Sequence, residues 1–166
     1  CDIEHFDNVT VSDADMKKYG TDVSFVGSLY SEKNSYDDIA DKLPAYMRGY
    51  VEGLCSAQKN VYGYNFIEDA LTDEWVSDFV STVGFDPLPD DYEADLKGII
   101  ADTYLNCRCT ELERKHTLDA VSRHFHVDLY TQSDSSMLPH VKNRGIADSE
   151  RVMPKIFKCS KINLNI

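Results

Sequence analysis

The stretch that decides the fold is Thr21-Asp22-Val23-Ser24-Phe25-Val26-Gly27-Ser28, where β-branched and aromatic residues end at a glycine. This composition predicts a short buried strand followed by a turn. Two further strands are predicted at residues 127–130 and 162–166, and helical patterns lie between the three. Strands that alternate with helices favour an α/β fold with a mainly parallel sheet.

A large helical block separates the first two predicted strands. Its apolar residues follow helical spacing in three runs: one after Pro44, one from Phe66 to Val83 that ends at Gly84, and one from residues 90–91 to Phe125. A crossover between neighbouring parallel strands is usually much shorter. We therefore expect a small sheet that carries a helical insertion at about residues 36–125.

The two ends of the chain are predicted to differ in structure. Residues 1–20 are polar and acidic without a sustained period, and this pattern predicts a linker or arm before a domain at residues 21–166. Pro154 is expected to open a short helix that ends at Cys159, ahead of the last strand. The chain begins with cysteine and ends on a predicted buried strand, so we expect it to be part of a larger protein.

Composition limits the classes of partner. The 166 residues include 29 acidic and 17 basic side chains, a net charge of −12, which argues against nucleic acid or an anionic membrane surface as the main partner. The apolar content of 42% is ordinary for a globular protein, and no run of residues is long and apolar enough to span a membrane. Five cysteines, an odd number, indicate reduced thiols and a cytoplasmic location.

The charge is distributed unevenly along the chain. Residues 1–100 hold 7 basic and 21 acidic side chains (net −14), whereas residues 101–166 hold 10 basic and 8 acidic ones (net +2). Most of the later cations lie in residues 142–161, where a solvated surface is the simpler interpretation. A site for a small anion is nevertheless best sought in this part of the chain.

The turn after the first strand is a candidate phosphate site. It reads Gly27-Ser28-Leu29-Tyr30-Ser31-Glu32-Lys33-Asn34. Glycine allows backbone N–H groups to approach a phosphate at the carboxyl end of a parallel strand, and Lys33 supplies positive charge. The turn lacks both the dinucleotide fingerprint and the P-loop motif. An ordinary turn with a solvated lysine remains the alternative.

Several segments resemble the C-terminal lobe of GT-B glycosyltransferases, specifically the bacterial spore-maturation (CgeB-like) family associated with group 1 glycosyltransferase domains. The segments that carry the resemblance are residues 22–30, residues 43–66, and the motifs MPKIF at 153–157 and SKINLNI at 160–166. The resemblance covers about residues 20–166. It implies a Rossmann-like sheet that binds a nucleotide-activated sugar.

The resemblance also implies which residues bind the diphosphate. Group 1 members carry a motif of the form Gly-Arg-Leu-x-x-Glu-Lys-Gly after the first strand of the lobe. In this chain Gly27 and Lys33 match it, together with Leu29 and Glu32, but Ser28 stands in the place of the arginine and Asn34 in the place of the last glycine. Lys33 is therefore the implied phosphate ligand, and Gly27 and Ser28 are the implied neighbours of the diphosphate.

The same resemblance places the nucleotide base near two other segments. These are the loop after the second strand, beginning at Tyr130, and the turn at Gly145 and Ile146. The implied reaction transfers a sugar from the nucleotide to an unknown acceptor, with the catalytic base supplied by the remainder of the protein's own chain, so this chain alone is expected to be inactive. Residues 20–166, which carry the resemblance, contain no Asp-x-Asp that could bind a metal ion, which suits a metal-independent enzyme, and no cofactor is expected.

A different class of function remains open. The serine at position 28 and the large acidic helical block are also compatible with a non-catalytic protein-interaction module on a degenerate α/β base. A zinc site built from Cys107, Cys109, His124 and His126 is disfavoured, because residues two apart on a helix point about 200° away from each other. We expect these cysteines to be free thiols.

Overall fold

The computed structural model describes residues 3–84 and 95–166. The chain divides into two compact units. The sheet unit comprises Cys1–Leu29 and Arg114–Ile166, and the helical unit comprises Tyr30–Glu113. The predicted helix-rich α/β fold is confirmed.

The elements of the described residues are short apart from α3, α5 and α7. The helices are α1 (Ile3–Asn8), α2 (Asp13–Tyr19), α3 (Ala45–Gln58), α4 (Ile67–Ala70), α5 (Asp73–Val83), α6 (Leu96–Ile100), α7 (Cys107–Ser122) and α8 (Met153–Cys159). A π-helical segment, Ala101–Asn106, joins α6 to α7, and single 3-10 turns lie at Ser31–Lys33 and Ala40–Lys42. The strands are β1 (Thr21–Val26), β2 (Val127–Tyr130), β3 (Val141–Asn143) and β4 (Ser160–Asn163). None of the helices in the described part of the chain is long and apolar enough to cross a membrane.

The four strands form one parallel sheet in the order β3-β2-β1-β4. The predicted strands β1 and β2 are confirmed, and the register pairs Val23 with Val127. Strand β3 is an addition that the sequence pattern did not indicate, because its three residues are partly or fully exposed. Strand β4 begins two residues earlier than predicted. Our expectation that it is buried is wrong: it lies at the sheet edge, and Ile162 is 53% exposed.

Both faces of the sheet are covered, as parallel strands require. Alternate residues point to opposite faces. One face packs Phe25 and Leu129 against Leu118 of α7. On the other, Tyr130 packs with residues of α2 and α8, among them Tyr19 and Ile156. The sheet unit thus has a hydrophobic cluster on each side.

The prediction of a linker or arm at residues 1–20 is wrong for the described residues, which contain α1 and α2. Ser12 caps α2 by accepting a hydrogen bond from the Asp15 N–H, and the Asp15 carboxylate accepts one from the Ser12 N–H. Lys155 of α8 reaches the same carboxylate at 2.9 Å, and Tyr19 is buried. A helix of seven residues is too short to show an amphipathic period, so the sequence pattern did not indicate α2.

The helical unit has a separate core built around side chains such as Met47, Phe79 and Leu105. The predicted helix from Phe66 to Val83 is interrupted, because the chain turns at residues 71–72 and Thr72 caps a new helix, α5, through the Trp75 N–H. Its predicted end at Gly84 is confirmed by a left-handed φ of 76°. The predicted start of the third helix, residues 90–91, lies outside the described residues.

Candidate functional site

The sheet unit contains a cavity of about 280 Å³ on the side of the sheet that faces α2. Its walls come from segments far apart in sequence: the end of α2, the end of β2, the turn after β3, and the residue before α8. The lining residues are Lys18, Tyr19, Tyr130, Arg144, Ile146 and Val152. Two cations, two phenols and two aliphatic side chains therefore surround one space.

A buried ion pair holds the guanidinium of Arg144. Its Nε and Nη2 atoms lie 3.0 and 2.9 Å from Oδ2 of Asp128, whose side chain is completely buried in β2. The hydrogen bond with Asp128 raises the pKa of Arg144, and the backbone N–H of Arg144 also donates to the carbonyl of Leu129 at 2.8 Å. Both the guanidinium and the backbone N–H of Arg144 are thus hydrogen-bonded, while 31% of its side chain is exposed.

The second oxygen of Asp128 is much less well satisfied. Within the described residues, Oδ1 has no hydrogen-bond partner, and Nε2 of the His126 ring lies 3.7 Å away. An ionised carboxylate in this position depends on Arg144 for most of its stabilisation, since burial removes its hydration.

The Tyr130 phenol of the cavity is a neutral hydrogen-bonding group. Burial, followed by the charge of Asp128, raises the pKa of Tyr130 to about 12. The Nζ atom of Lys18 lies 4.9 Å from the centre of the Tyr19 ring, and a hydrogen bond with that tyrosine raises the pKa of the lysine. The arrangement offers ring faces and aliphatic groups to a flat apolar moiety, and donors from Lys18 and Arg144 to an anion.

The predicted site residues fall into three groups. Tyr130 and Ile146 line the cavity together, and Gly145 lies between Ile146 and the cavity-lining arginine, with a left-handed φ of 78°. Gly27 and Ser28 follow β1 in the same unit. Lys33 belongs to the helical unit, where its ammonium lies 4.9 Å from the Tyr30 ring centre.

The backbone N–H groups of the turn after β1 are largely occupied. Gly27 donates to the carbonyl of Tyr130 at 3.1 Å, and Leu29 donates to the hydroxyl of Ser133 at 2.8 Å. Neither glycine strain nor close packing explains position 27, because its φ is not left-handed and an added Cβ would make ordinary contacts with the Phe25 ring, at 3.4 Å, and with Nη1 of Arg114, at 3.9 Å. A phosphate bound by these N–H groups would have to displace their present acceptors.

Arg114, which no sequence pattern indicated, brings a guanidinium to this turn from α7. Its Nη1 donates to the carbonyl of Ser28 at 2.6 Å, and its Nε and Nη2 donate to the carbonyl of Ile166 at 3.1 and 2.7 Å. Ser28 stands where the motif that the sequence resembles has an arginine. It is therefore contacted by the guanidinium of Arg114, 86 positions later in the chain. No local pattern could reveal this, because the pairing exists only once α7 packs on the sheet.

The candidate metal ligands of the sequence belong to different units. Cys109 is buried in the helical unit, and His126 lies in the sheet unit, directly before β2. Among residues 3–84 and 95–166, no three His, Cys, Asp or Glu side chains are grouped so as to hold a metal ion. The cavity of the sheet unit therefore offers hydrogen-bonding groups and aromatic rings to a ligand. No family model, no curated protein and no solved structure matches this chain.

Proposed function

We propose that the sheet unit binds the nucleotide part of an activated sugar, and that the protein acts as the donor-binding lobe of a GT-B-like glycosyltransferase. One observation carries the proposal. Tyr130 and Ile146, which the family resemblance assigns to the nucleotide base, line the same cavity as the anchored guanidinium of Arg144. The parallel sheet is of the kind whose strand ends bind nucleotides.

Each wall of the cavity has a role in this proposal. The aliphatic side chains of Ile146 and Val152 and the ring of Tyr19 pack against the base, and the Tyr130 phenol makes a hydrogen bond to it. The guanidinium of Arg144 and the ammonium of Lys18 face a phosphate. The volume of about 280 Å³ lies near the lower end of the range of about 300–1,000 Å³ for small-molecule sites, so the nucleoside enters and the sugar stays outside.

Such a site serves the reaction by stabilising the leaving group. Sugar transfer releases a nucleoside diphosphate, whose negative charge grows as the bond to the anomeric carbon breaks. Fixed cations that face this charge lower the barrier. The acceptor must also lose a proton, and we assign that step to a base from the rest of the protein.

Binding is tested by titrating UDP, GDP, TDP and their sugars into the protein by calorimetry at low ionic strength. Ile146→Trp fills the cavity and is expected to weaken binding by at least tenfold. Lys18→Ala is expected to weaken it by a few fold, because one cation is lost, whereas Lys17→Ala provides the matched control on the same helix. No binding of any nucleotide at millimolar concentration, or equal binding by Ile146→Trp, would refute the proposal.

The charge of the helical unit favours a second candidate function. Residues 30–113 hold 18 acidic and 6 basic side chains, a net charge of −12, whereas the sheet unit holds 11 of each. All of the protein's net charge therefore belongs to a unit with its own hydrophobic core, as expected of a module that binds a basic protein. Sugar transfer by the full-length protein, with no partner retained at physiological salt, would count against this alternative.

A further inference from the structure

Two buried cysteines of the helical unit lie next to each other. Cys55 of α3 is fully buried, and its Sγ is 3.7 Å from the carbonyl of Leu105, one helical turn before Cys109. Because Leu105 precedes Cys109 by one helical turn, this contact brings the Cys55 sulfur beside the Cys109 side chain, and each thiol shifts the pKa of the other. Both residues belong to one hydrophobic cluster, so the surrounding side chains hold them in place.

A surface cavity leads to only one of the two sulfurs. It has a volume of about 340 Å³, and Cys109 is part of its wall, while Cys55 lies behind it in the core. Exposed Tyr62, 82% accessible, marks the cavity as open to solvent. Polar side chains from three segments complete the wall: Gln58, Asn65, Asn106, Thr110 and Glu113.

The electrostatic surroundings assign different roles to the two thiols. The hydrogen bond with Cys55 lowers the pKa of Cys109, and the Arg108 guanidinium acts in the same direction, against burial and the charge of Glu113. The same hydrogen bond and burial raise the pKa of Cys55. Cys109 is thus the thiol that ionises first, and the thiolate is the reactive form.

We propose that Cys109 is a site of oxidation by a peroxide and that Cys55 resolves it to a reversible disulfide between α3 and α7. In the first step the Cys109 thiolate attacks one oxygen of hydrogen peroxide, the O–O bond breaks, and hydroxide leaves, which produces a sulfenic acid. In the second step the Cys55 sulfur attacks the Cys109 sulfur, the S–O bond breaks, and water leaves with the thiol proton. The two electrons lost by the sulfurs reduce the peroxide.

The other described cysteines are natural comparisons. Cys107 is on the same helix and partly exposed, but its sulfur contacts the carbonyl of Asp102. Cys159 is buried in the sheet unit, and burial raises its pKa. We expect Cys109 to react at least about tenfold faster than Cys159, because both access and thiolate character favour it.

The experiment treats the folded protein, in a Cys1→Ser background, with one equivalent of hydrogen peroxide at pH 7.5. Alkylation and peptide mapping then identify the product. A peptide that joins Cys55 to Cys109, and that separates on addition of dithiothreitol, is the expected result. Cys55→Ser should stop at a sulfenic acid on Cys109 that dimedone traps, while Cys107→Ser and Cys159→Ser should still form the disulfide.

Peptide mapping of the protein that keeps both Cys55 and Cys109 tests the proposal even if one of the variants fails to fold. Oxidation of Cys107 or Cys159 ahead of Cys109, or absence of the Cys55–Cys109 peptide from protein that keeps its circular dichroism spectrum, would overturn the proposal. Over-oxidation of Cys109 without the disulfide would equally show that Cys55 does not resolve it. These readouts are independent of nucleotide binding, so the outcome does not depend on the proposed function.

Discussion

Replacement of Arg144 with methionine should destabilise the sheet unit by leaving a buried carboxylate without its partner. In the native protein Oδ2 of Asp128 receives two donors from the arginine, at 2.9 and 3.0 Å, and Oδ1 receives none from the described residues. The Arg144→Met variant keeps the apolar part of the side chain but removes both donors. The carboxylate would then face only the His126 ring, 3.7 Å away.

The size of the effect follows from the burial of the pair. Removing one partner of a buried ion pair costs about 3–5 kcal/mol, and we take the lower end, about 3 kcal/mol, because 31% of the Arg144 side chain is exposed and water can enter the vacated space. For a chain of this length, each kcal/mol lowers Tm by about 2–4 °C, so the expected decrease is about 6–12 °C.

A second substitution separates the lost charge from the lost side chain. Asp128→Asn removes the buried charge and leaves an arginine that water can reach, so it should cost about 1 kcal/mol. The double variant Arg144→Met/Asp128→Asn should be more stable than Arg144→Met alone, because no buried charge remains. The coupling energy from this cycle is expected to be about 2 kcal/mol.

The assay must report on the sheet unit. The one tryptophan, Trp75, lies in the helical unit, so its fluorescence follows the other part of the chain. Urea unfolding by far-ultraviolet circular dichroism at pH 7, with hydrogen exchange of β2, measures the relevant change. An Arg144→Met variant within about 0.5 kcal/mol of the native protein, or a double variant no more stable than the single one, would refute the reasoning.

Three further predictions concern stability. Arg114→Met removes hydrogen bonds to the carbonyls of Ser28 and Ile166 and should cost about 1–2 kcal/mol in urea unfolding. Arg123→Met breaks an exposed ion pair with Asp119 just after the end of the same helix and should cost less than about 0.5 kcal/mol, so equal losses would contradict this prediction. The hydrogen bond from the lysine of α8 lowers the pKa of Asp15 from 3.8 to about 2, so the contribution of this carboxylate to stability is present above pH 4 and is lost as the pH falls towards 2. The difference in unfolding free energy between the native protein and Asp15→Asn should therefore shrink over that range. A constant difference would disprove the assignment. Thr72→Ala removes the cap of α5 and should cost about 1 kcal/mol of unfolding free energy, whereas Thr82→Ala within the same helix should be close to neutral. A larger loss of stability in Thr82→Ala than in Thr72→Ala would contradict the capping role.

Several elements could be predicted from their own residues alone. The β-branched and aromatic residues of β1 and β2 define strands without reference to the rest of the chain, and Pro154 opens α8 because its missing N–H costs nothing in a first helical turn. Gly84 ends α5 because a left-handed φ carries little penalty for glycine. In each case the determinant lies within a few residues of the element.

Other elements could not be recognised in this way. Strand β3 has three residues and α2 has seven, so neither is long enough to establish a period. The break between α4 and α5 falls within a continuous apolar pattern, and Thr72 was not distinguishable there from an ordinary polar residue of a helix. The edge position of β4 depends on strand order, which no single segment contains.

The candidate site, too, has some features that the sequence indicated and others that only the fold shows. The family resemblance placed Tyr130 and Ile146 near one ligand, and those two residues do line one cavity. The ion pair of Asp128 with Arg144, which defines the electrostatics of this cavity, was not apparent from the sequence. Asp128 lies in β2 and Arg144 directly follows β3, so the two meet only in the folded sheet. Arg114 reaches the turn after β1 for the same reason.

By itself, the sequence determined that this is a helix-rich α/β protein with a short parallel sheet, an acidic helical block and free thiols. These properties follow from composition and from patterns that repeat over a few residues. Only the tertiary structure decided which charges are neutralised, which thiols meet and where a cavity opens. Those outcomes depend on distances between residues that are far apart along the chain, and such distances are set by packing.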